Sequence, residues 1–137
     1  MTLAAASGLQ ALDYRSAKPQ AWTAHEVAPA IKALYGEIDM EKSDAITIKT
    51  PKVASSGATI PLRIKSDLHL KSLAVFQDAN PESAVAVFTV NPRSVVDYSM
   101  NIKMAKSGTI SVVAEGIDGK YYTVSQSLKV AEGGCEG

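Results

Sequence analysis

The chain has 137 residues, 46% of them apolar and 20% charged, which suits one folded unit with a sizeable core and excludes a disordered chain. Lys+Arg balance Asp+Glu at zero formal net charge, and no stretch gathers basic residues among aromatics, so nucleic acid is not an expected partner. No apolar run is long enough to cross a bilayer, so no membrane partner is expected. The opening Met1-Thr-Leu-Ala-Ala-Ala-Ser-Gly8 lacks the basic start of an export signal and reads as the beginning of a mature chain.

The segment from about 1 to 36 is predicted to be helical. Thr23-Ala-His-Glu26 has capping-box spacing, Val27, Ile31, Leu34 and Tyr35 follow at helical intervals, and Gly36 is a stop signal. Pro29 lacks a backbone donor, so the helix either kinks there or begins near it.

From about 45 to 130 the period changes to two. Ile46/Ile48, Ile60/Leu62/Ile64 and Leu68/Leu70 open a series of strands that continues at Leu73–Phe76, Val85–Val90, Val96–Met104, Ile110–Ala114 and Tyr121–Val130. Ser56-Gly57, Asn80-Pro81, Asn91-Pro92, Ser107-Gly108 and Asp118-Gly119 are the turn signals between them. Asp118-Gly119 is expected to close a two-residue hairpin of the primed type. About seven antiparallel strands with this spacing predict an immunoglobulin-like β-sandwich, although a small barrel has nearly the same pattern.

The tail, residues 131 to 137, reads Ala-Glu-Gly-Gly-Cys-Glu-Gly and contains the sole cysteine, Cys135. Nothing large and apolar anchors it, and Gly133, Gly134 and Gly137 permit many backbone conformations, so it is expected to be an exposed, mobile arm. Measured from Ala131, such an arm carries the sulfur on the order of 13–14 Å. Glu132, Glu136 and the terminal carboxylate disfavour the thiolate, which argues for a passive attachment site over a self-contained nucleophile. On composition alone an incidental or dimer-forming cysteine, in a structural or adhesive module, stands at even odds with this reading.

Other chemistry finds little footing. His25 and His69 sit among polar neighbours and form no metal spacing, and only Glu136 and Gly137 follow the cysteine, which excludes a blue-copper loop. Asp39, Glu41 and Asp44 read as a solvated acidic loop, and Met100 and Met104 as core. No metal, cofactor or catalytic residue is expected.

Five segments together resemble the SoxY family of carrier proteins: Ala33-Leu-Tyr-Gly36, Ile46-Thr-Ile-Lys-Thr-Pro51, Ala54-Ser-Ser-Gly-Ala-Thr-Ile-Pro61, Asp118-Gly-Lys-Tyr121 and Val130-Ala-Glu-Gly-Gly-Cys135. The resemblance implies an immunoglobulin-like fold and a SoxZ-like partner subunit in a heterodimer. It implies a periplasmic location and Cys135 as the covalent attachment point for thiosulfonate and persulfide intermediates. Gly133, Gly134, Glu136 and Gly137 would form the carrier arm. The enzymes acting on the cargo would be the SoxXA cytochrome, the SoxB hydrolase and the SoxCD sulfur dehydrogenase. One position departs from the pattern: the family tail reads Gly-Gly-Cys-Gly-Gly, and Glu136 stands where the first glycine after the cysteine is expected.

Overall fold

A computed structural model describes residues 13–131. Among the described residues three short helices come first: α1 (Tyr14–Ala17), α2 (Pro19–Thr23) and α3 (Val27–Tyr35). Asp13 caps α1 by accepting from the amides of Arg15 and Ser16. The capping-box reading of Thr23 to Glu26 does not hold. Thr23 ends α2 with its hydroxyl turned back to the Gln20 carbonyl (3.4 Å), and Glu26 is itself the N-cap of α3, making no side-chain cap bond. Helix α3 starts just before Pro29, so the missing N–H falls in the first turn, where it has no intrahelical acceptor to lose. Gly36 ends the helix at φ +80°.

Nine strands follow among the described residues: β1 (Met40–Lys42), β2 (Ile46–Lys49), β3 (Val53–Ala54), β4 (Ile60–Ser66), β5 (Leu70–Gln77), β6 (Ala84–Thr89), β7 (Val96–Ile102), β8 (Gly108–Gly116) and β9 (Tyr121–Val130). They form an immunoglobulin-like β-sandwich. One sheet runs β1-β9-β8-β5-β6, with β3 also on β9, and the other runs β2-β4-β7. The main ladders are antiparallel; β1 and β3 pair parallel to β9 at its two ends while β2, between them in sequence, crosses to the other sheet.

Alternation builds the core. In β4, Ile60, Leu62 and Ile64 are buried and Pro61, Arg63 and Lys65 exposed, and the inward set meets Leu73, Val75, Ile110, Val112 and Ala114 of the larger sheet. That sheet is covered on its other face too. Ala74, Phe76 and Val113 point away from the sandwich and pack against Ala21, Ala30, Ile31 and Leu34 of the helices. Hence β5 is buried on both faces, which explains its continuous apolar run. The strand expected at Leu68/Leu70 does not form on its own: Leu68 lies in the loop before β5, and Leu70 opens the same strand as Leu73–Phe76, with a register shift between Leu70 and Ser72.

The Asp118-Gly119 hairpin joins β8 to β9 as expected, but with different geometry. Only Gly119 has positive φ (82°), and bonds from Gly119 N to Gly116 O (3.1 Å) and from Gly116 N to Lys120 O (2.8 Å) enclose a three-residue loop. This is a type I turn followed by a left-handed glycine, not a two-residue primed turn.

Candidate functional site

The site that the sequence points to lies where β9 delivers the chain to its tail. Cys135, Gly133, Gly134, Glu136 and Gly137 lie outside the described residues; what the structure defines is the platform from which they depart.

Three hydrogen bonds hold the last residues of β9 on both edges. On one side the Lys129 amide donates to the Lys52 carbonyl (2.8 Å) and the Ala131 amide to the Ala54 carbonyl (2.9 Å). On the other, the Val130 amide donates to the Ser107 hydroxyl (2.9 Å). Val130 packs against the sandwich core, and Ala54 is buried beside it. The short strand β3 therefore acts as a clamp, with Val53 opposite Lys129 and Ala54 opposite Val130. The backbone is thus held as far as Ala131, the last described residue.

Neighbouring loops make this end rigid. After Ala54, the Ser56 hydroxyl accepts from the Ala58 amide (3.1 Å), and the Gly57 carbonyl accepts from the amide of buried Met104 (2.9 Å). Gln77, fully buried, accepts from the Ala79 and Asn80 amides (2.7 and 2.8 Å) and donates to the Glu82 carbonyl (2.9 Å). Asn80 then reaches across to the next loop, donating to Lys103 O and accepting from Ala105 N, both at 2.7 Å. The Asp78 carboxylate accepts from the Thr109 amide (2.7 Å) at the start of β8. The Gln77 and Asn80 amides thus tie two of these loops together, and the backbone bond from Met104 to Gly57 joins the third, satisfying polar backbone that β-pairing leaves over.

Ser107, Ala54, Gln77 and Asn80 were not singled out in the sequence. Turn signals touched Ser107 and Asn80 and a family-like segment began at Ala54, but a turn signal marks a bend without showing what it holds, and nothing pointed to Gln77.

The remaining residues considered in the sequence have structural surroundings. His25 Nδ1 meets the Pro81 carbonyl and His69 Nδ1 the Pro92 carbonyl, each at 2.8 Å. A carbonyl can only accept, so Nδ1 carries the proton in both rings. Each histidine fastens one of the Asn-Pro turns. Asp39, Glu41 and Asp44 are exposed, and Glu41 lies in β1, not in a loop. No group of three His, Cys, Asp or Glu among the described residues could hold a metal ion. Met104 is fully buried and Met100 packs against the core.

At the opposite end of β9 a polar chain crosses the helix–sheet interface. Ser72 Oγ donates to Glu115 Oε1 (2.9 Å), so its contact with Tyr35 Oη (2.7 Å) has the tyrosine as donor. Burial pushes the Tyr35 hydroxyl well above the ordinary tyrosine range. Tyr122 donates to Asp118 (2.6 Å), which raises the phenol to about 12 and lowers the carboxyl. On the outer sheet face Arg63 holds Asp97 in a two-pronged pair (2.9 and 2.8 Å), lowering the Asp97 carboxyl. These groups are far along the strands from the tail and act on the fold.

The family model for sulfur oxidation protein SoxY matches residues 31–135. The chain belongs to the SoxY family. Its structure resembles the sulfur carrier protein SoxY from Chlorobium limicola f thiosulfatophilum, at 32% identity and a TM-score of 0.70, over 77% of this chain and 96% of that one. Superoxide reductase (neelaredoxin) from Ignicoccus hospitalis is similar at 14% identity and a TM-score of 0.56, covering 63% of this chain and 80% of that one. A putative superoxide reductase from Thermotoga maritima is similar at 15% identity and a TM-score of 0.55, covering 68% and 95%. At such identities the two reductases share the sandwich fold alone with this SoxY chain. No curated protein matches the sequence. Among the described residues no helix is long and apolar enough to cross a membrane.

Proposed function

We propose that this SoxY-family chain is a carrier of sulfur intermediates in sulfur oxidation, with Cys135 as the covalent attachment point and residues 132–137 as the arm that presents the cargo. The observation that carries this reading is the family match over residues 31–135, whose last matched position is the cysteine itself. The carrier name borne by the Chlorobium relative supports it. So does the clamp at Lys129, Val130 and Ala131, which fixes the point from which a short arm departs.

The chemistry follows from what the chain lacks near the thiol. Glu132, Glu136 and the terminal carboxylate hold negative charge around Cys135, so activation has to be supplied inside a partner's site. The chain then works as a substrate handle and not as an enzyme. An arm of about 13–14 Å delivers the sulfur into a narrow channel while the sandwich stays outside. The working unit is a heterodimer with a SoxZ-like subunit in the periplasm, served by the SoxXA cytochrome, the SoxB hydrolase and the SoxCD sulfur dehydrogenase. The adducts held are a thiosulfonate and a persulfide.

Intact mass of the protein purified from its native source tests the reading. Sulfur-containing adducts on Cys135 are expected, and they disappear in Cys135→Ser with the melting temperature unchanged. A native protein showing only free thiol or a dimer disulfide would make it a structural module. A loss on the scale of a core deletion in Cys135→Ser, about 2–5 kcal/mol, would make the tail structural instead.

A further inference from the structure

The helices pack on the larger sheet, while the smaller sheet turns an uncovered face outward. Pro61, Arg63 and Lys65 of β4 and Asp97, Ser99 and Asn101 of β7 are all exposed there. Pairing along β2 ends where Lys49 lies opposite Arg63. The next outward position of β4 is Pro61, which has no N–H to offer a neighbouring strand, and β2 gives way to Thr50 and Pro51. The Thr50 hydroxyl donates to the Pro61 carbonyl that the departing strand leaves (3.0 Å). Beside this step lies a shallow basin of about 510 Å³, where Pro51 and Pro61 adjoin Lys49, Arg63, Ser99 and Asn101.

Charge on the face is graded. Lys49, Arg63 and Lys65 are the cations of these three strands and Asp97 is their carboxylate. Arg63 grips both oxygens of Asp97, and Lys65 and Lys49 act on that carboxylate through space. Of the flanking loops, the one before β2 and the one after β4 bring Asp44 and Asp67 to the Ile46–Ser66 end. Lys52 and Lys103 follow Pro51 and Ile102 at the basin end. Like charges directly opposite weaken a ladder, so setting Lys49 against Arg63 does not serve the fold. The basin also adjoins the base of the arm. Lys52, whose carbonyl holds the Lys129 amide, follows Lys49 at a chain distance of at most about 11 Å.

We infer that this face docks the acidic surface of an enzyme that acts on the cargo, with Lys49 and Arg63 meeting its carboxylates and Pro51 and Pro61 an apolar side chain. The inference deepens the carrier reading and rests on it. Size decides what kind of partner fits. At about 3.3 Å per residue and 4.8 Å per strand the face covers at most about 330 Å². A stable interface takes about 800 Å² from each partner, so this one suits a brief encounter steered by charge and not a permanent subunit.

Poly-L-glutamate added to the full 15N-labelled chain at about 20 mM salt stands in for a carboxylate-bearing surface and needs no carrier activity. The largest amide shifts are expected at Arg63, Ser99 and Asn101, smaller in Lys49→Gln and lost at about 0.5 M salt. Largest shifts elsewhere would overturn the inference. Thiosulfate oxidation by the native enzymes, with the native heterodimer as the varied substrate, reads use in turnover. At low salt Lys49→Gln should lower kcat/KM about two- to five-fold with kcat unchanged. Asp97→Asn, which unmasks Arg63, should raise it, and Lys120→Gln in the β8–β9 hairpin should leave it alone. Equal kcat/KM for Lys49→Gln, Asp97→Asn and the native chain would overturn the inference, as would a fall in kcat alone. If Lys49 of the native heterodimer resists acetylation while Lys120 reacts, the face belongs to the permanent subunit and the inference is equally overturned. A native heterodimer that these enzymes do not turn over refutes the carrier reading instead, and the enzyme named as occupant falls with it.

Discussion

Substituting Ser107→Ala removes the acceptor that the structure gives the Val130 amide, at 2.9 Å, and leaves the two bonds on the β3 side in place. A neutral hydrogen bond of this kind contributes about 0.5–1.5 kcal/mol. Unfolding entropy of about 2.1 cal/mol/K per residue turns that into a fall in melting temperature of about 2–5 °C. Amides that exchange only through global unfolding, such as those of the Val112–Val124 pair at the middle of the β8–β9 ladder, should lose protection by the common factor, about 2- to 12-fold. The Val130 amide should lose more than that factor, because its own bond is gone and it no longer waits for opening. Hydrogen exchange followed by NMR reads both at once. Ser107→Thr keeps the hydroxyl and should restore protection. If Val130 falls only by the common factor, Ser107 does not hold the base of the arm and the two-sided clamp has to be abandoned.

The parts of this fold that could be read in advance are those whose signal is local. Strand β4 buries Ile60, Leu62 and Ile64 and exposes the residues between, and α3 buries Ile31 and Leu34, as their periods require. Strands β1 and β3 gave no such signal. Met40–Lys42 is exposed throughout and Val53–Ala54 is too short for any period; both are strands because the edge of β9 offers them partners about 80 residues away in sequence. The misreading at Thr23 has the same origin, since capping-box spacing says nothing about whether the hydroxyl is already bound to Gln20. In the hairpin, the dipeptide marks the bend, but the choice between a two- and a three-residue loop depends on the register of the strands it joins.

The candidate site divides along the same line. Cys135 and its glycines stand out by composition, because nothing in the tail competes for the reader's attention. The platform beneath them does not, because Ala54 and Lys52 contribute backbone carbonyls, which every residue has. Ser107 contributes a hydroxyl across 23 residues of sequence. A sequence motif can announce the arm, whereas the place from which it swings is a property of pairing.

Two further perturbations separate the fold from the tail. Tyr35→Phe should cost about 0.5–1.5 kcal/mol by leaving Ser72 without its donor. The hydroxyl's raised folded pKa gives a sign to the pH dependence: stability is fully present below the ordinary value near 10 and is lost as pH climbs toward the folded value. The melting-temperature gap between the native chain and Tyr35→Phe should therefore shrink above about pH 10, and a constant gap up to pH 12 would contradict the buried, donor-only phenol. Glu136→Gly tests the departure from the family tail. The stretch around residue 136 has no large apolar side chain, so stability should stay within about 0.5 kcal/mol. A carboxylate about 7 Å from an anionic adduct costs about 0.6 kcal/mol in water and about 2.4 kcal/mol at the effective dielectric of a partly enclosed site. The difference sets a ceiling of about 20-fold on the rate at which a partner loads the arm. Glu136→Gly should speed loading within that ceiling, and more at low ionic strength than at high. A slower variant would mean that the partner carries a basic group matched to Glu136. Equal rates at every ionic strength would mean that residue 136 never enters the confined site, and an arm that threads into its partners could not then be the mechanism.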